Sequence, residues 1–157
     1  MASIMGIELK NVKTFRGQEY PTNYHGNVYY NGKKQGFWSQ DGWGGPDRYE
    51  FNTKILDAIA KSYYGKDSYY DLDCLLGEIL TLRDYESIYK KAIKAGYTSV
   101  VIMSDGFKES YIKIPRIKDK TEILKQCDPF IKRFTKESKY KDKIKISVFT
   151  DLEDFIQ

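Results

Sequence analysis

The residue types that carry acid–base, nucleophilic and metal chemistry are few and scattered in this chain. There is one histidine, His25, and there are two cysteines, Cys74 and Cys127. Nucleophilic catalysis by serine or cysteine normally uses a histidine base, and both cysteines fall among apolar residues at helical spacing, which is typical of buried, reduced thiols. A structural zinc site needs a full tetrahedral set of closely spaced Cys and His ligands. We therefore predict no catalytic site, no bound metal and no other cofactor.

Three aspartates precede the strongest helical pattern in the sequence. Asp67, Asp71 and Asp73, with Glu78 further along, offer the oxygen ligands that Mg²⁺ and Ca²⁺ prefer. Acidic residues also favour helix N-termini, where they accept from unpaired N–H groups and complement the helix dipole. Helix capping is the main interpretation, and a divalent-metal-dependent enzyme remains an alternative function.

A glycine-rich segment, Asp41-Gly-Trp-Gly-Gly-Pro-Asp47, separates two predicted strands. It lacks the Lys-Ser/Thr pair of a phosphate-binding loop, and no helix begins directly after it. Trp43 has no apolar sequence neighbours that would bury it. Because exposed Trp beside Arg is typical of interface anchors, we predict Trp43 and Arg48 as binding residues.

Aromatic residues are concentrated in the first third of the chain. They are Tyr20, Tyr24, Tyr29, Tyr30, Phe37, Trp38, Trp43, Tyr49 and Phe51. Side chains alternate between the two faces of a strand, so one residue of each adjacent pair should face outward. We predict Tyr30 and Trp38 as binding residues that stack bases or anchor a protein, although aromatics favour strands in any case.

The net charge of +4 is unevenly distributed along the chain. From Lys113 to Lys145 there are twelve Lys and Arg against five Asp and Glu. Such a segment can face phosphates or an acidic protein surface, and Lys132 and Arg133 are its predicted binding residues. Lys outnumbers Arg, however, which also fits an ordinary solvated helix face.

The first 52 residues have the pattern of an antiparallel β-meander. Asn31-Gly32 is a strong hairpin signal, because both positions of a type I′ turn need positive φ. The predicted strands are Ile7–Thr14, Tyr24–Tyr30, Lys33–Gln40 and Arg48–Phe51.

The rest of the chain is predicted to be helical over residues 53–96 and mixed over residues 97–157. Asn52 or Thr53 caps the first helix, and the apolar spacing from Leu72 to Ile93 indicates one long helix or two with a break near residues 81–84. A hairpin, a helix interrupted or kinked at Pro129, and a last strand follow. The predicted segments are Thr98–Met103, Glu109–Ile114, Thr121–Phe134 and Lys143–Phe149.

These elements predict an α+β fold: an N-terminal meander, central helices and a C-terminal sheet in which the last strand joins the hairpin. The 157 residues, 41% of them hydrophobic, fit a single domain over residues 1–157. No apolar run approaches the roughly 20 residues that span a bilayer, and the first residues lack a secretory pattern. We expect a cytoplasmic protein that does not associate with membranes.

Several local patterns resemble those of small proteins encoded by tailed bacteriophages and prophages. They are Ile7-Glu-Leu-Lys-Asn-Val-Lys13, the hairpin Tyr29-Tyr-Asn-Gly-Lys33, the loop Asp41-Gly-Trp-Gly-Gly45 and the late strand–helix–strand. The resemblance transfers no catalytic residue. It implies a protein made inside a bacterial host cell, where many small phage proteins block a host defence or redirect a host machine.

Binding is therefore the expected function rather than catalysis. The main hypothesis is a phage-type protein that inhibits or redirects a bacterial host protein, such as a defence or nucleic-acid-processing system. The alternatives are a nucleic-acid or nucleotide binder, which uses exposed aromatics and the basic C-terminal third, and the metal-dependent enzyme above.

Overall fold

The computed structural model describes residues 1–19 and 22–157, so Tyr20 of the aromatic group lies outside the described residues. The strands are β1 (Ser3–Ile4), β2 (Ile7–Phe15), β3 (Asn23–Tyr30), β4 (Lys33–Ser39), β5 (Arg48–Tyr49), β6 (Ser99–Ser104), β7 (Glu109–Ile114) and β8 (Lys145–Phe149). The helices are α1 (Lys54–Tyr64), α2 (Leu72–Lys94) and α3 (Lys120–Glu137), with short 3-10 helices at Lys141–Lys143 and Glu153–Phe155. The α+β class is confirmed.

Contacts divide the chain into two compact units. The first comprises Met1–Arg83 with Ile156–Gln157, and the second comprises Asp84–Phe155. Helix α2 supplies residues to both units. That the chain forms one domain remains a prediction.

The first unit contains a five-stranded antiparallel sheet in the order β1-β2-β3-β4-β5, which is the predicted meander. Asn31 and Gly32 both have positive φ, 47° and 76°, as the predicted turn requires. The sequence analysis did not identify β1, whose Ser3 also bridges in parallel to Ile156 at the other end of the chain. The bridge to Ile156 leaves no local signal, whereas β1 and β2 form a local hairpin whose turn residues, Met5 and Gly6, both have positive φ.

Strand β2 is bulged between Lys10 and Lys13, and Gly26 of β3 lies against this bulge. An ideal Cβ on Gly26 would lie 3.1 Å from the Lys10 carbonyl oxygen and 3.1 Å from Val12 Cγ2. Glycine therefore permits the close approach of the two backbones, since any side chain would push the bulge outward.

The helices of the first unit begin and end close to the predicted positions. The Asn52 side chain accepts from Lys54 N at 3.0 Å, and Gly65 follows α1 with a φ of 97°. Helix α2 is continuous, so of the two alternatives, one long helix or two with a break near residues 81–84, the single helix is observed. The core combines one helical stripe with the inner face of the sheet, and its fully buried residues include Ile7, Leu9, Val28, Trp38, Leu56, Leu75, Leu76 and Ile79.

The second unit contains a three-stranded antiparallel sheet in the order β7-β6-β8, so the last strand joins the hairpin as predicted. Residues 99–103 of the central strand are all buried. The Asp119 carboxylate accepts from Glu122 N at 2.8 Å and caps α3, which continues through Pro129 as one helix. Its buried residues Ile123, Cys127 and Phe134 pack in one cluster with Val101 and Met103.

Only one of the two cysteines is buried. Cys127 lies in the cluster just described, whereas Cys74 is exposed, so its predicted burial was wrong. The buried positions in the first two turns of α2 are 72, 75, 76 and 79, and residue 74 does not belong to that stripe.

Among the described residues, no helix has both the length and the hydrophobicity that crossing a membrane would require.

The glycine at position 77 of α2 is a site where alanine should stabilise the fold. An ideal Cβ there would meet no heavy atom of the described residues outside the helix backbone within 4 Å. Alanine lowers the backbone entropy of the unfolded chain, so we expect Gly77→Ala to raise the free energy of unfolding by about 0.5–1 kcal/mol. Urea titration measures this change.

Gly26→Ala is the matched control, because the same added methyl group would meet the backbone of the β2 bulge. It should lower the free energy of unfolding. A destabilised Gly77→Ala variant would contradict the proposed packing around α2.

Candidate functional site

The loop between β4 and β5, residues 40–47 (the Trp43 loop), is held against the chain that follows β2. The backbone N–H groups of Gln18 and Glu19 donate to the Gly42 carbonyl oxygen at 2.8 and 3.2 Å. An ideal Cβ on Gly17 would lie 2.7 Å from that same oxygen, so the approach depends on glycine at this position. Main-chain contacts at Gly42 therefore hold the first half of the loop in place.

Asp41 closes the turn that presents Trp43. Its backbone carbonyl accepts from Gly44 N at 3.1 Å, and its carboxylate accepts from Trp43 N at 3.2 Å. The Arg48 guanidinium lies 3.8 Å from the same carboxylate. The turn thus holds the tryptophan backbone while the side chain is left 63% exposed.

The end of the loop is anchored by a chain of hydrogen bonds that involves two carboxylates. The Trp38 indole N–H donates to Asp47 Oδ2 at 2.6 Å. The Asp47 backbone N–H donates to Asp73 Oδ2 at 3.0 Å, and the Tyr49 hydroxyl donates to Asp73 Oδ1 at 2.5 Å. The core, the loop and the first turn of α2 are therefore joined at Asp47.

Burial changes the proton affinity of both groups beside the loop. It raises the pKa of Asp47 to about 6, and the neighbouring carboxylates of Asp73, Asp71 and Asp41 act in the same direction against the Trp38 hydrogen bond. Burial and the Asp73 carboxylate also raise the pKa of Tyr49. The phenol thus remains a neutral donor at all ordinary pH values, whereas Asp47 titrates near neutrality.

A cavity of about 310 Å³ opens between the loop and the chain after β2. Its lining residues include Phe15, Arg16, Gln18, Gln40, Asp41, Trp43 and Arg48. Two guanidinium groups can donate to carboxylates of a partner, and the exposed indole beside them can pack against an apolar side chain of that partner. The sequence analysis missed Arg16 and Gln18. They come near Trp43 because β2 and β4, the two neighbours of β3, finish at the same end of the sheet.

The structure brings together only two of the predicted binding residues, Trp43 and Arg48. Trp38 is fully buried, so its prediction as an exposed binding residue was wrong. Tyr30 lies at the hairpin end of β3, paired with Ile7 and Lys33, and shares a face with buried Val28. Its prediction as an outward residue was also wrong.

The outward members of the two aromatic pairs are Tyr29 and Phe37. His25 lies between Phe37 and Phe15 on that face, with its ring centroid 5.7 Å from each of theirs. Period-2 alternation groups these residues correctly, but it does not say which group faces the core. The burial of Gly26 and Val28, both on the Trp38 side, identifies the core face.

Lys132 and Arg133 lie on α3 in the second unit. Lys132 Nζ is 2.7 Å from Asp128 and Arg133 Nε is 2.8 Å from Glu137, each one helical turn away. The Arg133 guanidinium holds the pKa of Glu137 below its usual value. Both cations therefore already have a carboxylate partner.

The aspartates before α2 serve the structure of the first unit. The Asp71 carboxylate accepts from Cys74 N at 3.2 Å, and Asp73 accepts the two hydrogen bonds described above. No group of three or more His, Cys, Asp or Glu side chains in residues 1–19 and 22–157 could hold a metal ion. Helix capping, the main interpretation, accounts for Asp71.

Comparison with protein-family models, with curated proteins and with solved structures finds no match to this chain. The functional argument therefore depends on the geometry of the site and on the local sequence patterns described above.

The Asp47 carboxylate should titrate near pH 6 and report through the Trp38 indole. The chain has two tryptophans, so the indole ¹H–¹⁵N spectrum has two signals. We expect the Trp38 signal to shift with a midpoint near 6, the value to which burial raises the Asp47 pKa, while the exposed Trp43 indole serves as the internal control. A Trp38 signal that stays constant from pH 4 to 8 would contradict the assignment.

The same group should make stability depend on pH. A carboxyl whose folded-state pKa is raised contributes stability below its unfolded-state pKa, and that contribution is lost as the pH rises through about 6. Asp47→Asn removes the ionisation, so its stability relative to the native chain should increase between pH 4 and 7. Urea titrations at several pH values measure the free energy of unfolding of both proteins. A difference between them that stays constant from pH 4 to 7 would rule this out.

Proposed function

We propose that this protein is a binding protein that attaches to a bacterial host protein through the Trp43 loop and thereby inhibits or redirects it. The observation that supports the proposal is the exposed Trp43 side chain on a loop fixed at both ends by hydrogen bonds. A rigid loop loses little conformational freedom on binding, so the exposed indole can contribute its full contact area to an interface.

Two cations define the chemistry of the expected partner. Arg16 and Arg48 line the cavity beside Trp43, and within residues 1–19 and 22–157 the Arg48 guanidinium forms a single ion pair, with Asp41 at 3.8 Å. Trp and Arg are the residue types most enriched among interface hot spots. The partner surface should therefore offer an apolar slot for the indole with carboxylates at its rim.

A host protein is the proposed partner because of the cellular context. The strand, hairpin and loop patterns resemble those of small tailed-phage proteins, which act inside a bacterium. Inhibition of a defence or nucleic-acid-processing system is the form of activity we propose, with the protein located in the cytoplasm of the host cell.

Trp43→Ala should weaken this binding strongly while leaving the fold intact. The tagged protein is incubated with bacterial lysate, and the retained proteins are quantified by mass spectrometry for the native chain and for each variant. Loss of a central Trp anchor costs about 2 kcal/mol or more, so a stoichiometric partner should bind roughly 30-fold more weakly. Calorimetry with the purified partner then measures the affinity.

Tyr69→Ala is the matched control, because Tyr69 is a fully exposed aromatic residue of the same unit outside the loop. It should retain the partner at the native level. Arg48→Ala should weaken binding less than Trp43→Ala, and mainly at low salt. Equal recovery of the partner by the native chain and the Trp43→Ala variant would refute the proposed interface.

A further inference from the structure

An exposed pair of stacked aromatic rings lies at one end of the sheet in the second unit. The Phe107 and Tyr140 ring centroids are 4.3 Å apart, and the ring planes are inclined by 25°. Phe107 is 71% exposed and Tyr140 is 38% exposed. Phe107 belongs to the β6–β7 turn and Tyr140 to the connection between α3 and β8, so the fold brings together two residues that are distant in sequence.

The buried Asp105 carboxylate positions both rings. It accepts from Phe107 N at 3.0 Å and from Lys108 N at 2.8 Å, which closes the turn. Its other oxygen accepts from the Ser138 hydroxyl at 2.6 Å, and Ser138 Oγ accepts from Tyr140 N at 3.0 Å. Hydrogen bonds from one buried carboxylate therefore hold the backbone on both sides of the aromatic pair.

The chain around Tyr140 is rich in lysine. Lys139, Lys141, Lys143 and Lys145 alternate over seven residues that contain one acidic residue, Asp142. None of these four ammonium groups forms an ion pair with a carboxylate of the described residues. They differ in this respect from Lys132 and Arg133, which are paired along α3.

Lys143 lies to the side of the aromatic pair rather than over the outer face of either ring. Its Nζ atom is 5.6 Å from the Phe107 centroid and 5.5 Å from the Tyr140 centroid. An atom equidistant from both centroids lies near the plane that bisects the pair. A planar ligand can therefore stack on an outer ring face with its anionic group near Lys143.

We propose that Phe107, Tyr140 and the lysines of residues 139–145 form a binding site for single-stranded nucleic acid. A base stacks on the aromatic pair, and the lysines contact the phosphates of the neighbouring nucleotides. Because lysine ammonium groups act as point charges without the planar fork of arginine, the site accepts many sequences. This site belongs to a different unit from the Trp43 loop, and its proposed ligand is independent of the proposed host protein.

Fluorescence anisotropy with labelled oligonucleotides tests the proposal on the full chain. The probes are a 20-nucleotide oligo-dT, oligo-U of equal length, and a duplex of that length. Binding of either single strand in preference to the duplex supports the site, because paired bases cannot stack on a side chain. Equal affinity for the duplex, or no binding of either single strand at low salt, would overturn it.

Two pairs of variants separate this site from general electrostatic attraction. Phe107→Ala with Tyr140→Ala should weaken single-strand binding on the order of 10- to 100-fold, the range measured for loss of a stacked base, while Phe130→Ala on α3 should have no effect. Lys143→Gln should reduce the salt slope of the binding constant by about 0.7, the value for one phosphate contact. Lys132→Gln removes the same charge from an existing ion pair and should leave the slope unchanged.

The lysine pair keeps the proposal testable if the aromatic double variant fails to fold. Equal effects of Lys143→Gln and Lys132→Gln would show that net charge alone attracts the oligonucleotide, and the site would be refuted. Trp43→Ala should bind the oligonucleotide at the native level. Loss of host-protein binding and loss of oligonucleotide binding are thus measured on different variants.

Discussion

The hydrogen bond from the Trp38 indole to the Asp47 carboxylate is the interaction on which the conformation of the Trp43 loop depends. The indole is fully buried, so its N–H needs an acceptor, and Asp47 at the end of the Trp43 loop supplies it. That requirement draws a carboxylate away from water and raises its pKa. The same residue donates its backbone N–H to Asp73, which also accepts from Tyr49, and the Asp73 carboxylate raises the Asp47 pKa further. A core residue thereby fixes a loop whose own tryptophan is exposed.

Local sequence patterns predicted most of the elements, because their physical causes are themselves local. Positive φ at Asn31-Gly32 sets the hairpin, alternation sets the strands, and Asp119 caps α3. The bridge from β1 to Ile156 depends on a contact distant in sequence, which no local pattern indicates. The pairing of β1 with β2 is local, a tight turn at Met5 and Gly6 with positive φ at both residues, and the sequence analysis missed it. The apolar spacing left one helix or two open for α2, and the helix continues through residues 81–84, where Leu82 is buried.

The site was predictable only in part, for a related reason. The glycines around Trp43 indicated a turn that exposes it, and the structure agrees. Alternation shows which residues of β3 and β4 share a face, but it does not show which face is buried. The predicted surface therefore contained Trp38 in place of Phe37. Arg16 joins the site because the chain after β2 returns to the loop at Gly17, a contact between backbones that no side-chain pattern encodes.

The distribution of positive charge in the second unit follows from secondary structure. On a helix, a carboxylate one turn from a cation can reach it, and both Lys132 and Arg133 have such a partner. Residues 139–145 form a connection, a single 3-10 turn and the start of β8, and their lysines form no ion pair with a carboxylate in the described part of the chain. These lysine ammonium groups, which have no carboxylate partner among the described residues, therefore lie beyond the end of α3. The buried Asp105 carboxylate holds two aromatic rings at that same place, and for this reason position within the fold, more than lysine content, identifies the surface suited to phosphates.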